Sequence, residues 1–254
     1  MFFRKPPPPL YATLGLDMHS HILPGIDDGA PDLATAVDLV RQLARLGYRQ
    51  LIATPHILGD LHPNTPATIR AALARLQEGL KEAGVAIPVS AAAEYMIDET
   101  FHELLRSGAE LMTLPQQHIL VELPQAGEPP RWEEAVFRLQ TKGYRPILAH
   151  PERYRYLAGD FDRFTQLQEN GVGLQLNLLS LSGYYGGGPE RSAKELLKKG
   201  LADYLGTDLH HDRHRHALEV LQQQKRLVRQ LHQYPWRNQE LAESSNTALK
   251  ETPR

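Results

Sequence analysis

The chain has 254 residues, 41% hydrophobic and 23% charged, long enough to bury the core of one large globular domain. Its 28 basic and 30 acidic residues leave a net charge of −2, which supplies no attraction for nucleic acid or an anionic membrane, and no run of about eighteen apolar residues offers a membrane span. With no cysteine, disulfides, thiolate metal sites and a cysteine nucleophile are all excluded.

Residues 1–14 carry two basic residues but no apolar segment of signal-peptide length, so a cytoplasmic location is expected; the run Pro6 to Pro9 reads as a stiff, extended lead-in. Seven apolar or β-branched stretches then follow as candidate strands: 15–21, 47–56, 85–95, 118–124, 143–153, 171–180 and 202–211. Between the first two, Leu33, Ala36, Val37, Val40, Leu43 and Ala44 recur at helical spacing, with Pro31 suited to the first turn and Gly47 to the end. Segments 66–83, 131–142, 161–170, 189–199 and 213–232 behave similarly, and Gly84, Gly143, Gly171 and Gly200 mark stops. This alternation predicts an α/β fold around a parallel sheet, over residues 15–232. Gly186 to Gly188 read as a flexible connector rather than a lid, and residues 233–254 as a short helix or a loose end.

Potential ligands cluster where strands end. His19 and His21, His56, Glu94, Glu122, His150, and Asp208 with His210 close or follow six of the seven strand candidates. In parallel α/β barrels the active site is built at the carboxyl ends of the strands, so these residues can converge in one pocket. Histidines two apart on a strand point to one side, as do Asp208 and His210. The Pro24-Gly25 turn brings Asp27 and Asp28 back toward the same end, where one can ligate and the other can face solvent or cap the following helix. Glu94 and Glu122 follow apolar runs, where a desolvated carboxylate needs a cation or strong hydrogen bonds. Taken singly, each has an ordinary structural explanation; His62, His102, His118, His211, His214, His216 and His232 keep that reading, with His211 and His214 near the rim.

An all-nitrogen-and-oxygen set rich in carboxylates suits manganese, iron or zinc in a catalytic cluster better than a structural zinc. Three divalent ions against four carboxylates leave a charge of about +2, which favours a dianionic phosphoryl substrate. Arg153, three residues after His150, can reach that phosphate with a bidentate fork; the competing reading is a surface ion pair with Glu152.

The stretches DMHSHILPGIDDG, ATPH, AAAEY, LVELP, LAHPER and GTDLHH, spread in order over residues 15–230, together resemble the polymerase-and-histidinol-phosphatase superfamily. Within it the chain is most similar to the bacterial manganese-dependent tyrosine-protein phosphatases of capsule and exopolysaccharide synthesis. The resemblance implies a distorted seven-stranded TIM-like (β/α) barrel with three divalent metal ions, manganese first, iron or zinc as alternatives. One ion would be held by His19, His21, Glu94 and Asp208, a second by Glu94, Glu122 and His150, and the third by Asp28, His56 and His210. It also implies two phosphate-binding arginines: Arg153, and a second at Arg215 by its spacing from Asp208, with Arg213 as the alternative. The implied reaction is in-line attack of an activated water on phosphotyrosine, with His210 able to assist the leaving group, and the implied partner is the phosphorylated tail of a bacterial tyrosine kinase. The rival readings are a small-molecule phosphatase of the histidinol-phosphate type and a non-catalytic metal-binding regulatory module. The near-neutral charge puts a nuclease role last.

Overall fold

A computed structural model describes residues 9–242. In chain order the elements are α1 (Leu10–Leu14), β1 (Leu16–Asp17), α2 (Leu33–Leu46), β2 (Gln50–Ala53), β3 (His56–Ile57), α3 (Pro66–Glu82), β4 (Val89–Ala91), β5 (Glu94–Met96), α4 (Glu99–Ser107), β6 (His118–Glu122), α5 (Trp132–Thr141), β7 (Arg145–Ala149), α6 (Phe161–Glu169), β8 (Gly173–Asn177), α7 (Leu178–Leu181), α8 (Gly187–Lys199), β9 (Tyr204–Gly206), α9 (Asp212–Gln223) and α10 (Lys225–Gln233). None of the described helices is long and apolar enough to cross a membrane.

The expected alternation of strand and helix is present, and every strand pairing is parallel. The strands form two sheets, β1-β2-β4 and β3-β5-β6-β7-β8-β9, rather than one seven-stranded sheet. Two of the predicted strands are each broken. Pro55 has no N–H for the ladder and separates β2 from β3, while Ala92 and Ala93 separate β4 from β5. Hydrogen bonds nevertheless run on across the breaks, from Ala92 N to Ala53 O (2.8 Å) and from Glu94 N to Pro55 O (3.0 Å). Past the last paired residues of β1 and β9, Asp208 N donates to His19 O and His21 N to Leu209 O, both at 2.9 Å, with an isolated parallel bridge between Ser20 and Leu209.

Local chemistry sets the helix boundaries. Asp32 caps α2 by accepting from Thr35 N (2.8 Å), so Pro31 lies just before the helix rather than in its first turn, and Gly47 ends it in a left-handed conformation (φ 118°). Thr65 and Thr68 cap each other's backbone at the start of α3, with Pro66 at the first helical position. Helix α4, absent from the sequence reading, is capped by Asp98 and buries Phe101 and Leu105. The predicted helix 213–232 breaks at Gln224 into α9 and α10. The lead-in also differs from expectation. Residues 10–14 are helical, bury Leu10, Tyr11 and Leu14, and are pinned by the Tyr11 hydroxyl donating to Leu218 O (2.6 Å); Pro6 to Pro8 lie outside the described residues. Gly187 and Gly188 open α8 instead of forming a connector. Of the tail, residues 238–242 are helical, and the buried Asn238 amide bonds Leu16 O, Leu205 O and Leu205 N.

Side chains two apart share a face of a strand, and this sorts the core. On β6, Ile119 and Val121 join the large core under the helices, while Leu120 joins a smaller cluster with Leu16, Met18, Ile52, Ile147, Ala149 and Tyr204. Glu122 follows Leu120 on that inner face, and on β8 Gln175 and Asn177 occupy it while Leu174 and Leu176 pack outward. Polar groups therefore collect above an apolar plug at the carboxyl ends of the strands.

Candidate metal centre

The segment after β1 leaves its strand and returns on itself, with Gly25 N bonded to Ala30 O (2.8 Å) and Ala30 N to His21 O (3.0 Å). Gly29 permits the return, because a Cβ there would lie 2.0 Å from His21 O. The loop separates the roles of the two aspartates. Asp27 is buried behind His21, its Oδ2 2.8 Å from Nδ1, and it also accepts from the backbone of Gly29 and His56. Asp28 is more than half exposed and turns inward, its Oδ1 3.5 Å from His56 Nε2 and 3.4 Å from His210 Nε2.

Glu94 is the hub of the cluster. Its Oε2 lies 3.3 Å from His19 Nε2, 3.3 Å from His21 Nε2 and 3.2 Å from His56 Nδ1, while Oε1 is 3.0 Å from His150 Nε2. Glu122 Oε1 is 2.9 Å from His56 Nδ1, and Asp208 Oδ1 is 3.4 Å from both His19 Nε2 and His210 Nδ1. The nine residues proposed from sequence as ligands thus meet in one cluster. Sets able to present ligand atoms within 4.8 Å of one another are His21, Asp28, His56 and His210; His19, His21 and Glu94; His19, His150 and Asp208; and His56, Glu94 and Glu122.

Two observations show that these residues fit divalent cations. Glu94 Oε2 and Glu122 Oε1 are buried yet make no hydrogen bond, since the nearby ring nitrogens are close but out of line. The outer nitrogens of three imidazoles, moreover, face groups that only accept: His19 Nδ1 meets Gln175 Oε1 (2.7 Å), His21 Nδ1 meets Asp27 Oδ2 (2.8 Å) and His210 Nδ1 meets Asp208 O (2.9 Å). Each Nδ1 therefore carries the proton and each Nε2 turns a lone pair inward, toward other lone pairs. A cation resolves that repulsion, and so does a proton. Burial alone would depress His19, but Glu94 and Asp208 outweigh it and push its pKa up to about 9. His21 is raised well above its usual value and His56 is raised too, burial again being overcome by carboxylates, while Glu94 is held well below its usual range by His19 and its neighbours. Backbone strain belongs to the same design, for His150 (φ 35°) and Asp208 (φ 51°) are both left-handed non-glycine residues, each costing about 1–3 kcal/mol.

Arg153 reaches the rim. Its Nη1 donates to Asp208 Oδ2 (2.7 Å), an oxygen that also accepts from Asn177 Nδ2 (2.8 Å), so it does not form the surface pair with Glu152 weighed above. Glu152 is buried and accepts from Ser180 Oγ (2.6 Å) and Asn177 N (3.0 Å). Arg215 lies along α9, its guanidinium bonded to Asp212 and Glu219 of its own helix, and Arg213 is exposed on the first turn. At the rim His214 packs 5.7 Å from His210 and 4.0 Å from His211, whereas His118 is buried at the opposite end of β6, bonded to Pro115 O. Sequence reasoning missed Gln175 and Asn177, and gave Glu152 only as a surface partner for Arg153. The signal for the first two was present in GLQLN, where amides alternate with leucines in a buried strand.

The family profile described as capsular polysaccharide synthesis, CpsB/CapC, matches residues 15–239. The chain belongs to the CpsB/CapC family. Over 208 residues it is 32% identical to the tyrosine-protein phosphatase YwqE of Bacillus subtilis, covering 81% of this chain and 82% of that protein. It is 26% identical over 195 residues to the putative tyrosine-protein phosphatase CapC of Staphylococcus aureus, covering 77% and 76%. Its fold superposes with a TM-score of 0.78, at 28% identity and over 90% of this chain and 94% of the other, on a crystal structure from work on YwqE of B. subtilis and CpsB of Streptococcus pneumoniae, described as unique metal-dependent tyrosine phosphatases. The expected branch of the superfamily is therefore the one found, and this CpsB/CapC chain carries a His/Asp/Glu cluster suited to metal ions at its strand ends.

Proposed function

We propose that this CpsB/CapC protein is a metal-dependent protein-tyrosine phosphatase acting in the control of capsule or exopolysaccharide synthesis, with the tail of a bacterial tyrosine kinase as its cytoplasmic substrate. The observation that carries the reading is the buried Glu94 carboxylate ringed by His19, His21, His56 and His150, with Arg153 bonded to Asp208 at the rim. In this reading three divalent ions, manganese first, are held by His19, His21, Asp28, His56, Glu94, Glu122, His150, Asp208 and His210. The hydrogen bonds that continue across the strand breaks and join Asp208 to His19 support a single distorted seven-stranded barrel spanning residues 15–232.

Bound ions would supply Lewis acidity, polarising the phosphoryl group and acidifying the attacking water. The chain's own groups do the rest. Arg153 binds a phosphoryl oxygen with the N–H groups that Asp208 leaves free. A second contact comes from α9, and the pairing of Arg215 with Asp212 and Glu219 favours Arg213 for it. Gln175 and Asp27 hold His19 and His21 in the tautomer that faces inward. A phenolate leaving group has a pKa near 10, so it needs little protonation, and His210, whose Nδ1 proton is held by Asp208 O and whose Nε2 would ligate an ion, is not needed as a proton donor. Because the sequence has no cysteine, the thiolate route to a phosphoenzyme is closed. The test is phosphate release from a phosphotyrosine peptide with Mn²⁺, before and after chelation, for the wild type and His150→Ala. Release should stop on chelation and fall at least about 100-fold in the variant. A strong preference for histidinol phosphate, or no release from any aryl phosphate, would refute the reading.

A further inference from the structure

The glycine-rich stretch SGYYGGG, residues 182–188, adjoins the site without supplying a candidate ligand. It forms a tight turn after α7, with Gly186 N bonded to Gly183 O (2.9 Å) and both glycines at positive φ (80° and 93°), where a side chain would be strained. The turn presents its two tyrosines differently. Tyr184 is exposed, whereas Tyr185 turns inward, its hydroxyl buried and without a hydrogen-bond partner. Its ring lies under the Arg153 guanidinium, 4.7 Å from centroid to Cζ, and packs edge-on against His214 at 6.0 Å. Burial and the neighbouring Asp208 push the Tyr185 phenol far up, so the ring is neutral and keeps its full attraction for a cation.

We propose that Tyr185 is a positioning residue for phosphate binding, its aromatic face fixing the plane of the Arg153 guanidinium so that the edge not bonded to Asp208 presents a ready fork to the phosphoryl group. This rests on the phosphatase reading above. Among the described residues Arg153 has two anchors, Asp208 at Nη1 and the Tyr185 face, and a planar guanidinium held at one corner and one face retains only in-plane donors for a ligand. Asp208 cannot do this alone, because a single hydrogen bond leaves the plane free to rotate. The side chain stays about a quarter exposed, so the remaining edge is reachable.

The decisive test changes the ring's electrons and not its shape. Phenylalanine and its mono-, di- and trifluorinated analogues are placed at position 185 in the full chain, and the dissociation constant for inorganic phosphate is measured by calorimetry on the manganese-loaded protein. Stepwise fluorination should weaken phosphate binding progressively, by about tenfold from phenylalanine to the trifluorinated ring. The KM for a phosphotyrosine peptide should rise in parallel, more than kcat falls, and the trend should vanish in an Arg153→Ala background. A flat series, or an equal slope without Arg153, overturns the proposal, since a ring that merely fills space responds to neither change. If the wild type released no phosphate from phosphotyrosine, the functional reading would fail, yet the calorimetric series would still decide whether Tyr185 supports an anion-binding arginine.

Discussion

Gln175→Met tests whether the site is set from behind. Gln175 is fully buried, and its Oε1 lies 2.7 Å from Nδ1 of an equally buried His19, while its Nε2 donates to Leu176 O (2.6 Å). Methionine keeps the length and most of the volume but removes the acceptor. A buried ring N–H without a partner costs about 1–3 kcal/mol, and the imidazole escapes that cost by rotating or by moving its proton to Nε2, the atom that faces Glu94 at 3.3 Å. Either escape removes one inward lone pair. Lost outer-shell support of this kind weakens metal affinity about 10- to 100-fold, or about 1.4–2.7 kcal/mol. Competition against a calibrated chelator should show that loss for Mn²⁺, with a fall of about 1–3 kcal/mol in the urea stability of the chelated protein. Gln175→Glu, which keeps an acceptor, should retain most of the affinity. If Gln175→Met lost stability but bound Mn²⁺ as tightly as the wild type, Gln175 would be a packing residue and the tautomer argument would fail.

The metal-free protein should respond to pH in a defined direction. His19 is raised from about 6.5 to about 9 in the fold, so its charged form stabilises the chelated protein fully below about pH 6.5, and that contribution disappears as pH rises through about 9. Denaturation midpoints of chelated protein should therefore fall across that window, while those of manganese-loaded protein, whose imidazoles must be neutral, should not; parallel curves would contradict the assignment. Gly29→Ala forces a methyl carbon into the space of His21 O, and thermal unfolding should show a loss of at least about 3 kcal/mol or no folded protein, whereas a stable variant would mean that the 21–30 loop has another conformation available.

Much of the site was legible along the chain because its donors sit at strand ends, and the period of two that turns Ile119 and Val121 of β6 and Leu174 and Leu176 of β8 outward delivers Glu122, Gln175 and Asn177 to the inner face. The alternation of strand and helix was legible for the same reason, since burial face and period are properties of neighbouring residues. What was not legible depends on contacts between distant segments. Pro55 interrupts a ladder only because β1 and β4 flank its strand, and residues 10–14 become a helix because Leu10, Tyr11 and Leu14 find α9 and α10 to pack on. Sequence by itself determined which nine candidate ligands would gather and the end of the sheet at which they meet. Only the tertiary structure decided their roles, placing Asp27 behind His21 and Asp28 before it and turning Arg153 to Asp208 rather than Glu152, because a role follows from which lone pair faces which neighbour and that is fixed when separate strands come together.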